Sequence, residues 1–437
     1  MRKKKRHYIA IALTAPFILN CLIGCGSATA TPESTAEEET GSDAPEYWFD
    51  LDTYRDNLSG NRIAITEYRE QYEADAASLC TEEYVNLDFS DCVFEPFPES
   101  EDLSVMTITI PEITTAEAWE MIENWLSYAG QEEEVDLKTD VIVVSERLGT
   151  LGTDENAEYY PFYDNLSSLG TLQHGEGAFL STDTAYMGFV DGGINAMSTG
   201  KISSYLNNGT TASADCFGGN TADVVTSGAP DELGTESYPL PGGLLSIREG
   251  AALVNTFYAS GILFPAFADG VSNTTRTVNV FRLGNDVYGY DYQVSRTYKG
   301  VPFVWNAQNM NYFYGGSWFI EIDEAHAYVV DSTGIAASYS NYIGSNKVTA
   351  LLTETDLISL SDIAAQLSQE LALQASAVIK NAKLVYVRID EPDADHEVKY
   401  VLPCWHFSGQ SMRSDEEIEI FVDALTGTLV SCYGVHD

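Results

Sequence analysis

Residues 246–433 carry one pattern twice, and that pattern restricts the fold more than any other feature of the chain. Each copy begins as an amphipathic helix and continues as a run of strands. In the first, Ser246-Ile247-Arg248-Glu249 is a capping box, in which the Ser hydroxyl and the Glu carboxylate satisfy free backbone donors of the first helical turn. Ala252, Leu253 and Phe257 follow on one helix face. Strands are predicted at 278–283, 287–298, 301–305, 318–323 and 326–331. In the second copy a helix is predicted over 359–373, with Leu360, Ile363, Leu367 and Leu371 at helical spacing. Strands are predicted at 383–389, 399–407, 417–422 and 428–433. The copies close on similar turns, Asp331-Ser332-Thr333-Gly334 and Asp423-Ala424-Leu425-Thr426-Gly427. There the Asp side chain bonds its own backbone and Gly supplies a positive φ.

The second copy gives the sharper expectation. Its helix should pack Leu360, Ile363, Leu367 and Leu371 against Val385, Val387, Trp405, Ile420 and Val422. Pro403 has no N–H to give a ladder, so its strand should be an edge strand or bulged there. A free edge accepts a partner's strand, which makes Tyr400, Pro403 and Trp405 the candidate interface.

Upstream the pattern is weaker. Residues 62–77 suit a polar helix. Thr114-Thr115-Ala116-Glu117 is a second capping box, leading into a helix that places Ala118, Ile122, Trp125 and Leu126 on one face and stops at Gly130. Strands are expected at 105–110 and 141–144. Residues 150–245 are rich in Gly, Ser, Thr and Asn and read as strand and loop.

Composition removes one class of function. The 437 residues include 66 Asp and Glu against 22 Lys and Arg, a net charge of -44. Such a surface repels phosphate backbones, so nucleic acid is excluded as a partner. Five of the basic residues, Arg2, Lys3, Lys4, Lys5 and Arg6, stand at the N-terminus ahead of an apolar stretch from Ile9 to Ile23. That stretch is interrupted by Pro16 and Asn20 and is short for a membrane span. Leu22-Ile23-Gly24-Cys25 then resembles the bacterial lipobox. The resemblance implies diacylglyceryl transfer to the Cys25 thiol and cleavage after Gly24. Residues 25–45 are small and acidic, without apolar periodicity, and read as a solvated tether like those of Gram-positive surface lipoproteins.

The C-terminal half carries a second resemblance. The turn Val422-Asp423-Ala424-Leu425-Thr426-Gly427 and the run Tyr298-Lys299-Gly300-Val301-Pro302 look like motifs of PepSY modules, small cystatin-like units found in protease propeptides and cell-envelope proteins. Tyr400-Val401-Leu402-Pro403-Cys404-Trp405 resembles a strand of the YycH/YycI regulators, membrane-anchored extracytoplasmic proteins that modulate a sensor kinase. As a whole the chain resembles surface lipoproteins of low-GC Gram-positive bacteria.

Candidate chemistry is sparse. Ser198-Thr199-Gly200-Lys201 matches Ser-x-x-Lys, in which one helical turn brings the Lys amine to the Ser hydroxyl, but no Lys-Thr-Gly strand follows. His174-Gly175-Glu176 lacks a third ligand nearby. Asp390 to His396 lacks the glycine and final glutamate of a calcium loop and reads as a solvated acidic turn. His326 and His406 fall in predicted strands as packing or surface residues. Cys80 and Cys92 could close a loop, and Cys404 and Cys432, on strands of one small sheet, are a possible disulfide; buried free thiols are the alternative.

The expectation is therefore an α+β chain: a lipoprotein signal peptide over 1–24, a disordered tether over 25–45, an N-terminal α+β region over 46–245, and two tandem cystatin-like units over 246–350 and 351–437. It is expected to be non-catalytic, without cofactor or metal, lipid-anchored on the extracytoplasmic face of the cell membrane, and to bind or regulate another cell-envelope protein. The alternatives are an envelope hydrolase using Ser198 and Lys201, or a protease-inhibitor-like module.

Overall fold

A computed structural model describes residues 49–58, 60–109, 115–129, 141–144, 159–161, 177–181, 185–190, 193–199, 224–260, 270–284, 286–304, 319–321, 324–341, 347–371, 376–390, 398–414 and 416–433. The signal peptide, Cys25, the tether and the acidic turn after Asp390 lie outside them.

The chain opens with α1 (Leu51–Asp56), β1 (Arg62–Ala64), α2 (Ile65–Leu79), β2 (Leu87–Asp88), β3 (Val93–Phe94), β4 (Leu103–Thr109) and α3 (Thr115–Ala129). Short strands follow: β5 (Val141–Val144), β6 (Tyr159–Pro161), β7 (Gly177–Ser181), β8 (Ala185–Val190), β9 (Gly193–Thr199) and β10 (Val224–Gly228). Next come α4 (Pro230–Leu233), β11 (Ser237–Leu240), β12 (Gly243–Ser246) and α5 (Ile247–Ala259). Then β13 (Val271–Gly284), β14 (Val287–Tyr298), β15 (Val301–Pro302), β16 (Phe319–Glu321), β17 (Glu324–Val329) and β18 (Ala337–Asn341) lead to β19 (Lys347–Glu354) and β20 (Asp356–Ile358). The chain ends with α6 (Leu360–Glu370), β21 (Ala377–Asp390), β22 (Val398–Ser411), β23 (Glu417–Asp423) and β24 (Leu429–Tyr433). The protein is strand-rich and α+β.

Both expected helix starts are built as the sequence implies. At α5, Ser246 Oγ accepts from Glu249 N while the Glu249 carboxylate accepts from Ser246 N, completing the capping box. At α6, Ser359 Oγ accepts from Asp362 N at 3.1 Å. Each helix is followed by an antiparallel meander, β13-β14-β17-β18 after α5 and β21-β22-β23-β24 after α6. Both closing turns form. Asp331 Oδ1 accepts from Thr333 N, and Asp423 Oδ1 accepts from Leu425 N and Thr426 N. Gly334 and Gly427 take φ of 145° and 75°.

Two large sheets result. One runs β10-β13-β14-β17-β18-β9-β8-β7-β5-β6, so the first meander continues directly into strands of the Gly-rich region. Its apolar face packs on α5 and α3 around Val254, Phe257, Trp125, Tyr290 and Tyr292. The other runs β16-β21-β22-β23-β24; β4 joins β22 and β19, and β2 and β3 lie parallel against β21. Leu360, Ile363, Leu367, Tyr68, Tyr72 and Trp405 share its core.

The expected boundaries at 245 and 350 are therefore not the limits of the sheets. β4 bridges β22 and β19, β1 pairs β20, and β18 pairs β9. The physical reason is that β22 has more length than the second unit alone can pair. On the side away from β21, β23 covers its C-terminal half and β4, from far upstream, covers Val398–Val401.

Candidate functional site

The strand expected to offer a free edge is central. β22 pairs β21 along one side and β4, then β23, along the other. Pro403 is tolerated because Leu402 and Pro403 fall between the last pair with β4 (Val401–Met106) and the first with β23 (Cys404–Asp423). The Pro403 carbonyl accepts from Ala424 N at 2.8 Å, so its ring nitrogen faces the join between those two strands rather than a ladder partner on β21. Tyr400, Pro403 and Trp405 are all buried. Trp405 donates its indole N–H to Ile358 O and stacks on Tyr72 of α2, with rings 6.1 Å apart and 7° from parallel. Tyr400 lies against Phe49, with centroids 4.7 Å apart. These residues are buried in the core and do not form the expected exposed interface.

The expected disulfide is also absent. Cys404 and Cys432 are free thiols. Cys404 on β22 is level with Asp423, Cys432 on β24 is level with Ile420, and the whole of β23 lies between them. Two ladder spacings amount to about 9.5 Å, beyond the reach of a disulfide. Burial pushes the Cys432 thiol up to about 12 and Cys404 well above its ordinary value.

Ser198 and Thr199 lie in β9, with Ser198 paired to Ala337 and Tyr186, so these two residues of the Ser-x-x-Lys motif are extended rather than helical. Lys201 lies outside the described residues.

The described surface offers a different site beside α2. The segment after β3 runs antiparallel to this helix and is hydrogen-bonded to it at two positions. Arg69 donates to Ser100 O at 2.5 Å and Tyr72 donates its hydroxyl to Glu95 O at 2.8 Å. The Tyr72 and Phe97 rings pack with centroids 5.3 Å apart. Between helix and segment opens a groove of about 500 Å³, with Tyr72, Ala76, Phe94, Pro96 and Phe97 as apolar walls and Arg69 and Glu73 on α2 at its charged side. One helical turn separates the guanidinium from the carboxylate, so they present opposite charges on one face. Arg69 Nε is buried without a hydrogen-bond partner. Aromatic walls with a proline and flanking charges suit an extended peptide that carries apolar and charged side chains.

Three exposed apolar side chains lie on or beside β3 and β21. Val93, 64% exposed, precedes Phe94 of the groove. Val85 is 95% and Met412 46% exposed; they flank the start of β21, where Asn86 O accepts from Ala377 N and Met412 N donates to Ser376 O.

A second cluster sits on the large sheet, on the face away from Tyr290 and Tyr292. His326 Nδ1 lies 2.9 Å from Asp291 Oδ1. Asn279 donates weakly to the other carboxylate oxygen at 3.5 Å, and the imidazole stacks on Tyr328 at 6.4 Å. A buried carboxylate on one ring nitrogen fixes the imidazole's orientation. The sequence named His326 but not Asp291, because partners on neighbouring strands leave no local spacing.

Among the described residues no group of three His, Cys, Asp or Glu side chains is placed to hold a metal ion, and no helix is long and apolar enough to cross a membrane. No family model and no curated protein matches the chain. Among solved structures it is similar to the crystal structure of an uncharacterized protein from Eubacterium rectale, with TM-score 0.41 and 12% identity, covering 82% of this chain and 98% of that one.

Proposed function

We propose that this is a non-catalytic, lipid-anchored extracytoplasmic protein that binds or regulates another cell-envelope protein, and that the groove beside α2 is where the partner's peptide docks. The groove carries this reading. It combines aromatic walls, a guanidinium and a carboxylate at one helical turn, and exposed Val93 next to Phe94 in the chain. The lipobox-like Leu22-Ile23-Gly24-Cys25 supports the anchor, and the tether over 25–45 would let the folded part stand off an anionic membrane that its own charge repels. The repeated order of helix, four-strand meander and Asp-to-Gly turn supports reading the two C-terminal units as PepSY-like and cystatin-like.

A photo-crosslinking residue in place of Glu73 should capture one discrete species in intact cells, while the same residue in place of exposed Glu232 on α4 should not. Equal capture at both positions would overturn the groove as the docking site. For the anchor, Cys25→Ala should abolish lipid labelling and release the protein from membranes. Membrane retention of the unlabelled variant would instead place the hold elsewhere.

One observation favours a second reading. The Asp291–His326 pair is the arrangement that prepares an imidazole to take a proton, which suits an envelope hydrolase with His326 as base. An activity-based hydrolase probe decides: labelling that disappears in His326→Ala would favour the enzyme over the binding protein.

A further inference from the structure

Cys80 and Cys92 end the two elements that form the groove. Cys80 is the C-cap of α2, and Cys92 immediately precedes β3. Helix and segment run antiparallel: Arg69 donates to Ser100 O, Tyr72 donates to Glu95 O, and Ala76 lines the groove with Phe94. One further turn along the helix is Cys80, and two residues further back along the segment is Cys92. From the level where Ala76 and Phe94 line the groove, a helical turn advances 5.4 Å and two extended residues about 6.6 Å, so matching steps lead to Cys80 and Cys92. The thiols lie close enough for the charge of Cys80 to add to burial in pushing the Cys92 thiol up to about 12. Both residues are half-buried free thiols, unlike the fully enclosed Cys404 and Cys432. Their S–H groups lean only on the Ala76 and Val93 carbonyls, at 3.6 and 3.7 Å, weak bonds that are easily given up.

We propose that Cys80 and Cys92 form a reversible disulfide that latches the C-terminal end of α2 to the start of β3 and so fixes one end of the groove. The co-reactant is a small disulfide. Its S–S bond breaks, the two protein S–H groups give up their protons and two electrons to become one S–S bond, and two small thiols leave. Bond formation stands on the geometry of α2 and the 92–100 segment. Only its consequence for docking rests on the proposed role of the groove, so the chemical readout stands apart from that role.

The purified full chain, incubated with oxidised glutathione and quenched with an alkylating reagent, tests this by peptide mass mapping. The expected product links the Cys80 and Cys92 peptides, leaves Cys404 and Cys432 as thiols, reverts with dithiothreitol, and melts at a higher temperature than the reduced chain. In Cys80→Ser the link and the oxidation-dependent rise in melting temperature should both vanish. Recovery of both cysteines as alkylated thiols, or as separate glutathione adducts, would overturn the proposal, as would a rise in melting temperature that persists in Cys80→Ser.

Discussion

Asp423 joins three parts of the chain through one buried carboxyl. One oxygen accepts from Leu425 N and Thr426 N and forms the closing turn, while the other accepts from the Tyr54 hydroxyl at 2.8 Å and ties α1 to the sheet. Burial outweighs these bonds and pushes its pKa from 3.8 to about 6. The sign follows. Below pH 4 the group is protonated in both states, between 4 and 6 only the folded state keeps the proton, and above 6 the fold carries a buried charge. Its contribution is therefore fully present below about 4 and lost as pH rises through about 6. Asp423→Asn imitates the protonated form and cannot titrate. Relative to wild type it should gain on the order of 3 kcal/mol between pH 4 and 7, read from urea unfolding at each pH. Parallel pH profiles for the two proteins would contradict this. Gly250 gives a second test at this scale. Alanine normally stabilises a helix interior by about 1 kcal/mol over glycine. Here an added Cβ would meet the Tyr292 hydroxyl oxygen and lie 2.9 Å from its Cζ and 3.1 Å from Tyr290 Cδ2. Tyr292 cannot swing away, because it is fully buried and its hydroxyl donates to Ile247 O at 2.7 Å. Overpacking should win, so Gly250→Ala is expected to lose about 1–3 kcal/mol of unfolding free energy. A stabilised variant would show that the contact relaxes.

At the scale of elements, α6 behaves as its spacing implies, with Leu360, Ile363, Leu367 and Leu371 all buried. Leu367→Ala should cost about 2–5 kcal/mol in chemical denaturation, and a loss below 1 would mean the helix does not pack on this face. The strands were legible as strands but not in phase. Trp405 is level with Leu384 on β21 and with Val422 on β23, so Leu384, not Val385, shares its face. Val385 is level with Cys404 on the opposite face, and Val387 follows it there. Alternation shows which face is inside only when the other face is wet, and β21 is buried on both over 382–389. The same physics hid the fate of Pro403. A proline marks a missing donor, and the sequence cannot say whether that gap meets solvent or a join between two strands. The groove was illegible for another reason: it is made where a helix seen only as polar meets a short segment with no periodic pattern at all. The closing turns were fully legible, because an Asp that bonds its own backbone and a Gly with positive φ are local chemistry.

For the whole molecule the decisive fact is that the C-terminal unit does not complete its own sheet. β4 covers Val398–Val401 of β22, β1 pairs β20, and α2 supplies the Tyr68 and Tyr72 rings that close over Trp405. Tyr68 also donates its hydroxyl to Asp75 and accepts from Leu360 N, so an N-terminal side chain satisfies a free donor at the start of α6. Residues 351–437 alone would expose Trp405, the N-terminal half of β22 and the packed side of α6 to water. That is a large loss for a unit already near the size at which a single core is marginal. The excised fragment should therefore lack a cooperative unfolding transition by circular dichroism, and a chain that also retains 46–350 should show one. A sharp transition in the isolated fragment would mean that the upstream strands decorate an autonomous domain rather than complete it. The same contacts fix where changes can be tolerated. Substitutions at Glu73 touch solvent-facing α2, whereas those at Tyr72 reach Trp405 and the shared core, so the proposed docking and the fold can be tested separately at adjacent positions of one helix.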